Sequence, residues 1–302
     1  MNTKKSVLVV LAFTMTTIAI TQPTISFTFD DGSTSDWGQY DSEEWNQMIL
    51  TSLSRAGVTA AFFVKTGDKN SQNGKKLLDS WDREGHLIAN HTVTHPNFNW
   101  ENVYAQEFEN ELLKADALIK GYDNYVRLFR FPYLKEGNTP EKVDSIRQIL
   151  QSHDYRHGHV TIDASDWYID SRLRKRLRQN PEANLDGFRD FYLQHLFDRA
   201  SYYEKLAYEL TGRHIAHTLL LHHNLSSALF LEDLIEHFQS KGWRVISAKD
   251  AFTDPIFQEV TKHAGESLIW AMAKDTGKYE KQLRYPAEDS RYEKDKMDKL
   301  GL

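Results

Sequence analysis

The stretch 26–33, SFTFDDGS, ends an apolar, β-branched run with two adjacent carboxylates and a glycine. Like charges side by side repel, and burying even one is costly unless it is paired or bound to a metal. Asp and Gly also favour tight bends, so the fragment alone reads first as a turn. What lies outside it decides between a bend and a site.

Outward from this stretch, strand-like and helix-like segments alternate. The patterns predict strands over 25–29, 58–64, 86–90, 126–131, 158–163, 217–222 and 243–247. Helices are predicted over 42–56, 73–84, 103–120, 140–151 and 229–241, and 183–212 reads as mostly helical. Thr139 is a fitting N-cap, and Gly121 and Gly242 close helices. About seven β-α units without a repeat or flexible linker point to one α/β domain with a parallel sheet, closed as a barrel. The segment 252–302 carries more charge and weaker periodicity, and reads as an extension packed over that domain.

The chain has 302 residues, 40% of them hydrophobic, enough to bury a large core. A net charge of −6 leaves no basic surplus to drive counterion release, which argues against nucleic acid as a partner. The basic run 172–178 reads as a solvated helix face. With no cysteine, disulfides, thiol nucleophiles and Cys-ligated zinc are excluded. Lys4 and Lys5 precede an apolar stretch over 7–20 with small residues near its end at Thr17, Ala19 and Thr21, the layout of a secretory signal peptide. The expected organisation is a signal peptide over 1–22, a catalytic domain over 23–250 and an extension over 251–302. The mature chain is then periplasmic or extracellular, with no stable membrane association.

In α/β folds, working groups collect at the C-terminal ends of parallel strands. Asp30 and Asp31 end the first strand, His91 and His95 follow the third, and Arg130, Pro132 and Tyr133 follow the fourth. Asp163, Asp166 and Trp167 follow the fifth, and His222 ends the sixth. In HTVTH (91–95), three β-branched residues and a following proline disfavour a regular helix. A strand-end loop can still aim both imidazoles at one point. Two histidines plus a nearby strand-end carboxylate make a three-ligand set with an open position, the arrangement of catalytic zinc.

These five segments, in this order, resemble the polysaccharide deacetylase family, also called the NodB-homology domain or carbohydrate esterase family four. The matching motifs are TFDDG (28–32), HTVTH (91–95), RFPY (130–133), DASDW (163–167) and LLH (220–222), and the resemblance spans roughly 25–247. It implies a distorted (β/α) barrel of about seven parallel strands and metal-assisted hydrolysis of acetyl groups. By the same resemblance Asp31, His91 and His95 hold a divalent metal, Zn2+, and Asp30 is the general base. His222 is the general acid, Arg130 orients Asp30, and Asp163 holds His222 protonated. Trp167 and Pro132 belong to the substrate pocket, where the backbone N–H of Tyr133 faces the oxyanion.

The expected substrate is an acetylated glycan built on N-acetylglucosamine. O-deacetylation, hydrolysis of a small amide and non-catalytic carbohydrate binding remain as alternatives. His153, His157, His159, His195, His214, His237 and His263 lie outside every motif and are expected at the surface or in satisfied core positions. His223 is expected to turn away from the site, and Asn224 to reach it or not. Many relatives carry Asp after the last-motif histidine, where this chain has His223-Asn224. Together with the long segment 168–217, this leaves open which polymer the cleft fits.

Overall fold

A computed structural model describes residues 22–283 and 290–302. The expected signal peptide falls almost wholly on 1–21, outside the described residues. Among the described residues seven strands run parallel: β1 (Thr24–Asp31), β2 (Ala61–Val64), β3 (Leu87–Asn90), β4 (Tyr125–Phe129), β5 (Arg156–His157), β6 (Ala216–His222) and β7 (Arg244–Val245). Their order is β5-β4-β3-β2-β1-β6, with β7 also paired to the start of β1. Around them lie α1 (Ser42–Ala56), α2 (Gln72–Arg83), α3 (Ala105–Ile119), α4 (Pro140–Ser152), α5 (Asp166–Gln179), α6 (Asp186–Thr211) and α7 (Leu225–Ser240). Three shorter helices follow: α8 (Ala248–Ala251), α9 (Leu268–Thr276) and α10 (Arg291–Leu300).

β1 shows why the sheet curls into a barrel with two buried faces. Ile25, Phe27 and Phe29 point outward to the helices: Phe27 meets Phe238 of α7, and Phe29 stacks on Phe62, which stacks on Trp81 of α2. The alternate residues Ser26, Thr28 and Asp30 face the interior, as the two-residue period of a strand requires. There Ala61, Phe63, Leu87, Ala89 and Leu128 form an inner core with Phe252, which follows α8.

The fifth strand departs from expectation. Regular pairing is confined to Arg156–His157, and 158–163 closes the barrel irregularly. The Gly158 N–H reaches the Phe129 carbonyl on one side, while Thr161 and Ile162 bond to Thr218 of β6 on the other. A Cβ on Gly158 would lie 2.3 Å from the Phe63 ring, so only glycine lets the backbone pass so close. The result is a distorted (β/α) barrel, as the family resemblance implied.

The basic run 172–178, read as a helix face, lies on α5, but the start of that helix at Asp166 was not predicted, because DWYIDSRLRKRLRQ is dominated by charge. Its buried stripe is only Ile169, Leu173 and Leu177, at four-residue spacing. Beyond residue 250, Leu268, Ile269 and Ala273 of α9 and Met297 of α10 are buried in the main core.

Candidate metal and acid–base site

At the C-terminal rim of the barrel, a pocket of about 330 Å³ is walled by Asp30, Asp31, His91, His95, Tyr133, Asp163, Trp167 and His222. Arg130 and Pro132 do not line this pocket: Arg130 is fully buried, and Pro132, next to the lining residue Tyr133, is buried too. A larger polar groove of about 470 Å³ lies between α1 and α2 and contains none of these residues.

Asp31, His91 and His95 bring one ligand atom each within 4.8 Å of one another. The Nδ1–H of His91 donates to the Arg130 carbonyl at 2.8 Å, which fixes the tautomer and leaves Nε2 as a lone pair. That Nε2 lies 3.2 Å from Nε2 of His95, which in turn is 3.7 Å from Oδ1 of Asp31. Oδ1 of Asp31 is buried without a hydrogen-bond partner. A buried carboxylate oxygen left unpaired beside two converging imidazoles is a cation's donor set, so these residues fit a divalent metal.

Burial holds both His91 and His95 down to a pKa of about 4, so they are neutral ligands at ordinary pH. Burial pushes Asp31 up, but His222, His91, His95 and Lys65 outweigh it and leave its carboxyl below the usual range. The two histidines converge because Thr92 and His95 both take left-handed backbone angles, φ 68° and 63°. The Thr92 hydroxyl accepts the His95 N–H and so ties the turn together.

Asp30 and Asp31 occupy unlike environments despite their adjacency. Asp31, with φ 74°, leaves the strand's alternation and turns out to the rim. Asp30 stays in register, directly opposite His222 of β6. Its Oδ1 accepts from Arg130 at 2.6 Å, and the same guanidinium nitrogen reaches the Thr28 hydroxyl at 2.9 Å. Nε of Arg130 donates to the Gly158 carbonyl, and the guanidinium stacks on the Phe63 ring at 3.7 Å. Burial raises the Asp30 carboxyl above the usual value, and Arg130 and His222 draw it back only in part.

The partner of His222 requires a correction. It is Asp166, not Asp163, whose Oδ1 accepts the His222 Nδ1–H at 2.7 Å. Oδ2 of Asp166 accepts the His222 backbone N–H at 2.8 Å and the Asn224 amide at 2.9 Å. Asp166 opens α5, where the helix dipole favours a carboxylate, and that places it against the end of β6. Asp163 also lines the pocket, three residues earlier. Burial would lower the His222 imidazole, but Asp166, Asp31 and Asp30 reverse this and raise it to about 10.

Tyr133 sits in a left-handed turn, φ 57°, and lays its ring against His95, centroids 4.5 Å apart. Trp167 is 36% exposed and covers the far side of the pocket. His223 turns away as expected: its Nδ1 accepts the Ser33 N–H, and its Nε2–H donates to Asn46. Asn224 caps α7 and steadies Asp166 rather than facing the pocket. Outside the motifs, His153, His195, His214 and His263 each pair with a carboxylate, and His157 stacks on His159. Thr28, which belongs to the first motif, was given no role in the sequence reading, and Gly158, which also seats Arg130, lies outside every motif.

Comparison with known proteins points the same way. Residues 18–158 match the sequence profile described as polysaccharide deacetylase. Over 110 residues the chain is 30% identical to a peptidoglycan-N-acetylglucosamine deacetylase of Bacillus cereus, an alignment covering 36% of each protein. The match thus spans about a third of that relative's length. Among solved structures, a CE4 family pseudoenzyme from Bacillus anthracis superposes with a TM-score of 0.53 at 20% identity, covering 76% of this chain and 66% of that one. A mutant of such a pseudoenzyme with restored activity gives 0.54 at 20% identity, covering 76% and 68%. A peptidoglycan N-acetylglucosamine deacetylase bound to an N-hydroxybenzamide gives 0.53 at 18% identity, covering 77% and 89%. At these identities the structural likeness is one of fold.

Proposed function

We propose, from a chain whose residues 18–158 belong to the polysaccharide deacetylase family, that this protein is a metal-dependent hydrolase. Its substrate in this reading is a glycan containing N-acetylglucosamine, from which it removes N-acetyl groups and releases acetate. One observation carries the reading: Asp30 and His222 stand opposite each other across β1 and β6, each locked to a buried partner of opposite charge.

Amide hydrolysis needs an activated water, a stabilised oxyanion and a proton for a poor leaving group. A divalent metal, Zn2+ in this proposal, would be held by Asp31, His91 and His95 and would supply Lewis acidity, lowering the pKa of a water to about 7. Asp30, paired with Arg130, takes the proton of the attacking water. His222, protonated at neutral pH with a pKa of about 10, gives its proton to the departing amine nitrogen. The backbone N–H of Tyr133 serves the developing oxyanion, and Trp167 receives the acetyl methyl. Pre-set charges in a site shielded from water act without reorganising during the reaction.

The test is acetate release by zinc-loaded protein from acetylated chitooligosaccharides, peptidoglycan fragments and acetylxylan, with Asp30→Asn and His222→Ala as controls. Release from the amide substrates that both variants abolish supports the reading. Release from acetylxylan alone replaces it with O-deacetylation, and no release from any substrate replaces it with carbohydrate binding. We further propose export, on the pattern of Lys4, Lys5 and the apolar run over 7–20. N-terminal sequencing of the protein recovered from the periplasm or medium tests this, with a start near residue 20–24 expected.

A further inference from the structure

The helix α10 lies far along the chain from every motif, yet its side chains end on the loop that carries Asp163 and Asp166. Glu293 is 1% exposed, an unusual place for a carboxylate on a helix that otherwise presents charge to solvent. It accepts the Ser165 hydroxyl, and its Oε1 lies 3.0 Å from Nε2 of His195 on α6. Its neighbour Tyr292 sets its ring 5.4 Å from the Arg199 guanidinium, with Tyr203 at the same distance. Arg199 is wholly buried, and its Nε–H donates to the Asp163 carbonyl at 3.1 Å.

The loop is therefore gripped at two points. Arg199, shelved on Tyr292, holds the carbonyl of Asp163, and Glu293 holds Ser165. The very next residue is Asp166, whose carboxylate takes the His222 ring and backbone N–H together. To cover apolar core, α10 needs only Met297, which is fully buried. A buried Glu293 adds desolvation that apolar packing alone would avoid, and what it holds is the start of α5.

We infer that α10 is a positioning element for the acid pair: Glu293 and Tyr292 hold the Asp163–Asp166 loop so that Asp166 presents its carboxylate to His222. This rests on the reading of Asp166 and His222 as the acid of a deacetylase, and it adds a part contributed by residues outside the matched family region. A group that orients a catalytic side chain through one intermediate residue changes turnover more than substrate affinity.

The experiment uses the zinc-loaded full chain with Glu293→Ala, Glu293→Gln, Tyr292→Leu and Tyr292→Phe, and Lys299→Ala as a surface control. In Glu293→Ala and Tyr292→Leu, kcat for acetate release falls about ten- to a hundredfold while KM stays within about twofold. Glu293→Gln, which still accepts the Ser165 hydroxyl, and Tyr292→Phe, which keeps the ring, restore most of it. Amide hydrogen exchange supplies a readout that needs no activity. The His222 N–H, which Asp166 accepts, exchanges about tenfold faster in the two damaging variants, and the amides of Phe63 and Ile88 do not. Unchanged His222 exchange and unchanged kcat in folded Tyr292→Leu would overturn the inference, also where Glu293→Ala fails to fold. If the wild-type chain releases no acetate, the deacetylase reading falls, and the exchange data still decide the positioning.

Discussion

Asp166 accepts two hydrogen bonds from His222, from the ring Nδ1–H at 2.7 Å and from the backbone N–H at 2.8 Å. The first sets the charge of the imidazole and the second its place at the end of β6. Asp166→Asn keeps the shape and removes the charge. It is expected to lower kcat by about 10²–10⁴-fold, with little change in KM. In the metal-free protein, the His222 imidazole titrates near 10, and NMR should find it well below that in the variant. The raised value stabilises the fold fully below the unfolded value of about 6.5 and ceases to do so as pH rises through about 10. If Asp163→Asn collapses the titration and Asp166→Asn leaves it, the assignment is wrong.

Zinc binding should weaken in acid at a definite place. His91 and His95 are neutral until pH falls to about 4, so the donor set stays intact through mildly acidic pH and protons displace the metal near pH 4. Metal analysis after dialysis across this range checks it. His91→Ala is expected to hold no zinc even at neutral pH, and undiminished zinc in that variant would refute the donor set.

Arg130 and Asp30 form an ion pair buried on both sides. Removing one partner leaves an uncompensated charge, so Arg130→Met is expected to destabilise the protein by about 3–5 kcal/mol. Adding Asp30→Asn to it should recover part of the loss. Denaturant unfolding of the two single variants and the double variant measures this, and strictly additive losses would show that the pair is not coupled.

His223 separates a structural histidine from a catalytic one. Its two ring nitrogens serve Ser33 and Asn46, and its pKa is held down to about 3 by burial. His223→Leu should cost about 1–3 kcal/mol through the Ser33 N–H and Asn46 left unpaired. The folded variant should keep near-normal kcat. A kcat loss as large as that of His222→Ala would move His223 into the chemistry.

The sequence made the rim of the barrel legible because rim residues are punctuated. TFDDG ends a strand, HTVTH cannot continue one, and RFPY stops at proline. Which of two acids three apart would meet His222 was not legible. The answer depends on where α5 begins, and a helix with only three buried apolar residues announces its start weakly. The closing strand was misplaced by the same kind of ambiguity. VTID looks extended and apolar, but its strand-type bonds go to β6 alone, and the tie to β4 is made earlier, by Gly158. The part played by Glu293 was invisible for another reason. It lies more than a hundred residues from Ser165, and a lone Glu in RYEKDK looks like any solvated charge.

Asp31, Thr92, His95, Tyr133 and Leu134 all have positive φ, and none of them is glycine. Each such backbone costs on the order of 1–3 kcal/mol, and all five belong to the rim. Of the eight such non-glycine positions among the described residues, these five sit at the rim, so the working end carries most of this backbone tension, like a trap kept set by its frame. Selection for heat resistance alone would find its easiest gains at these positions. The survivors would outlast the parent and turn over substrate more slowly.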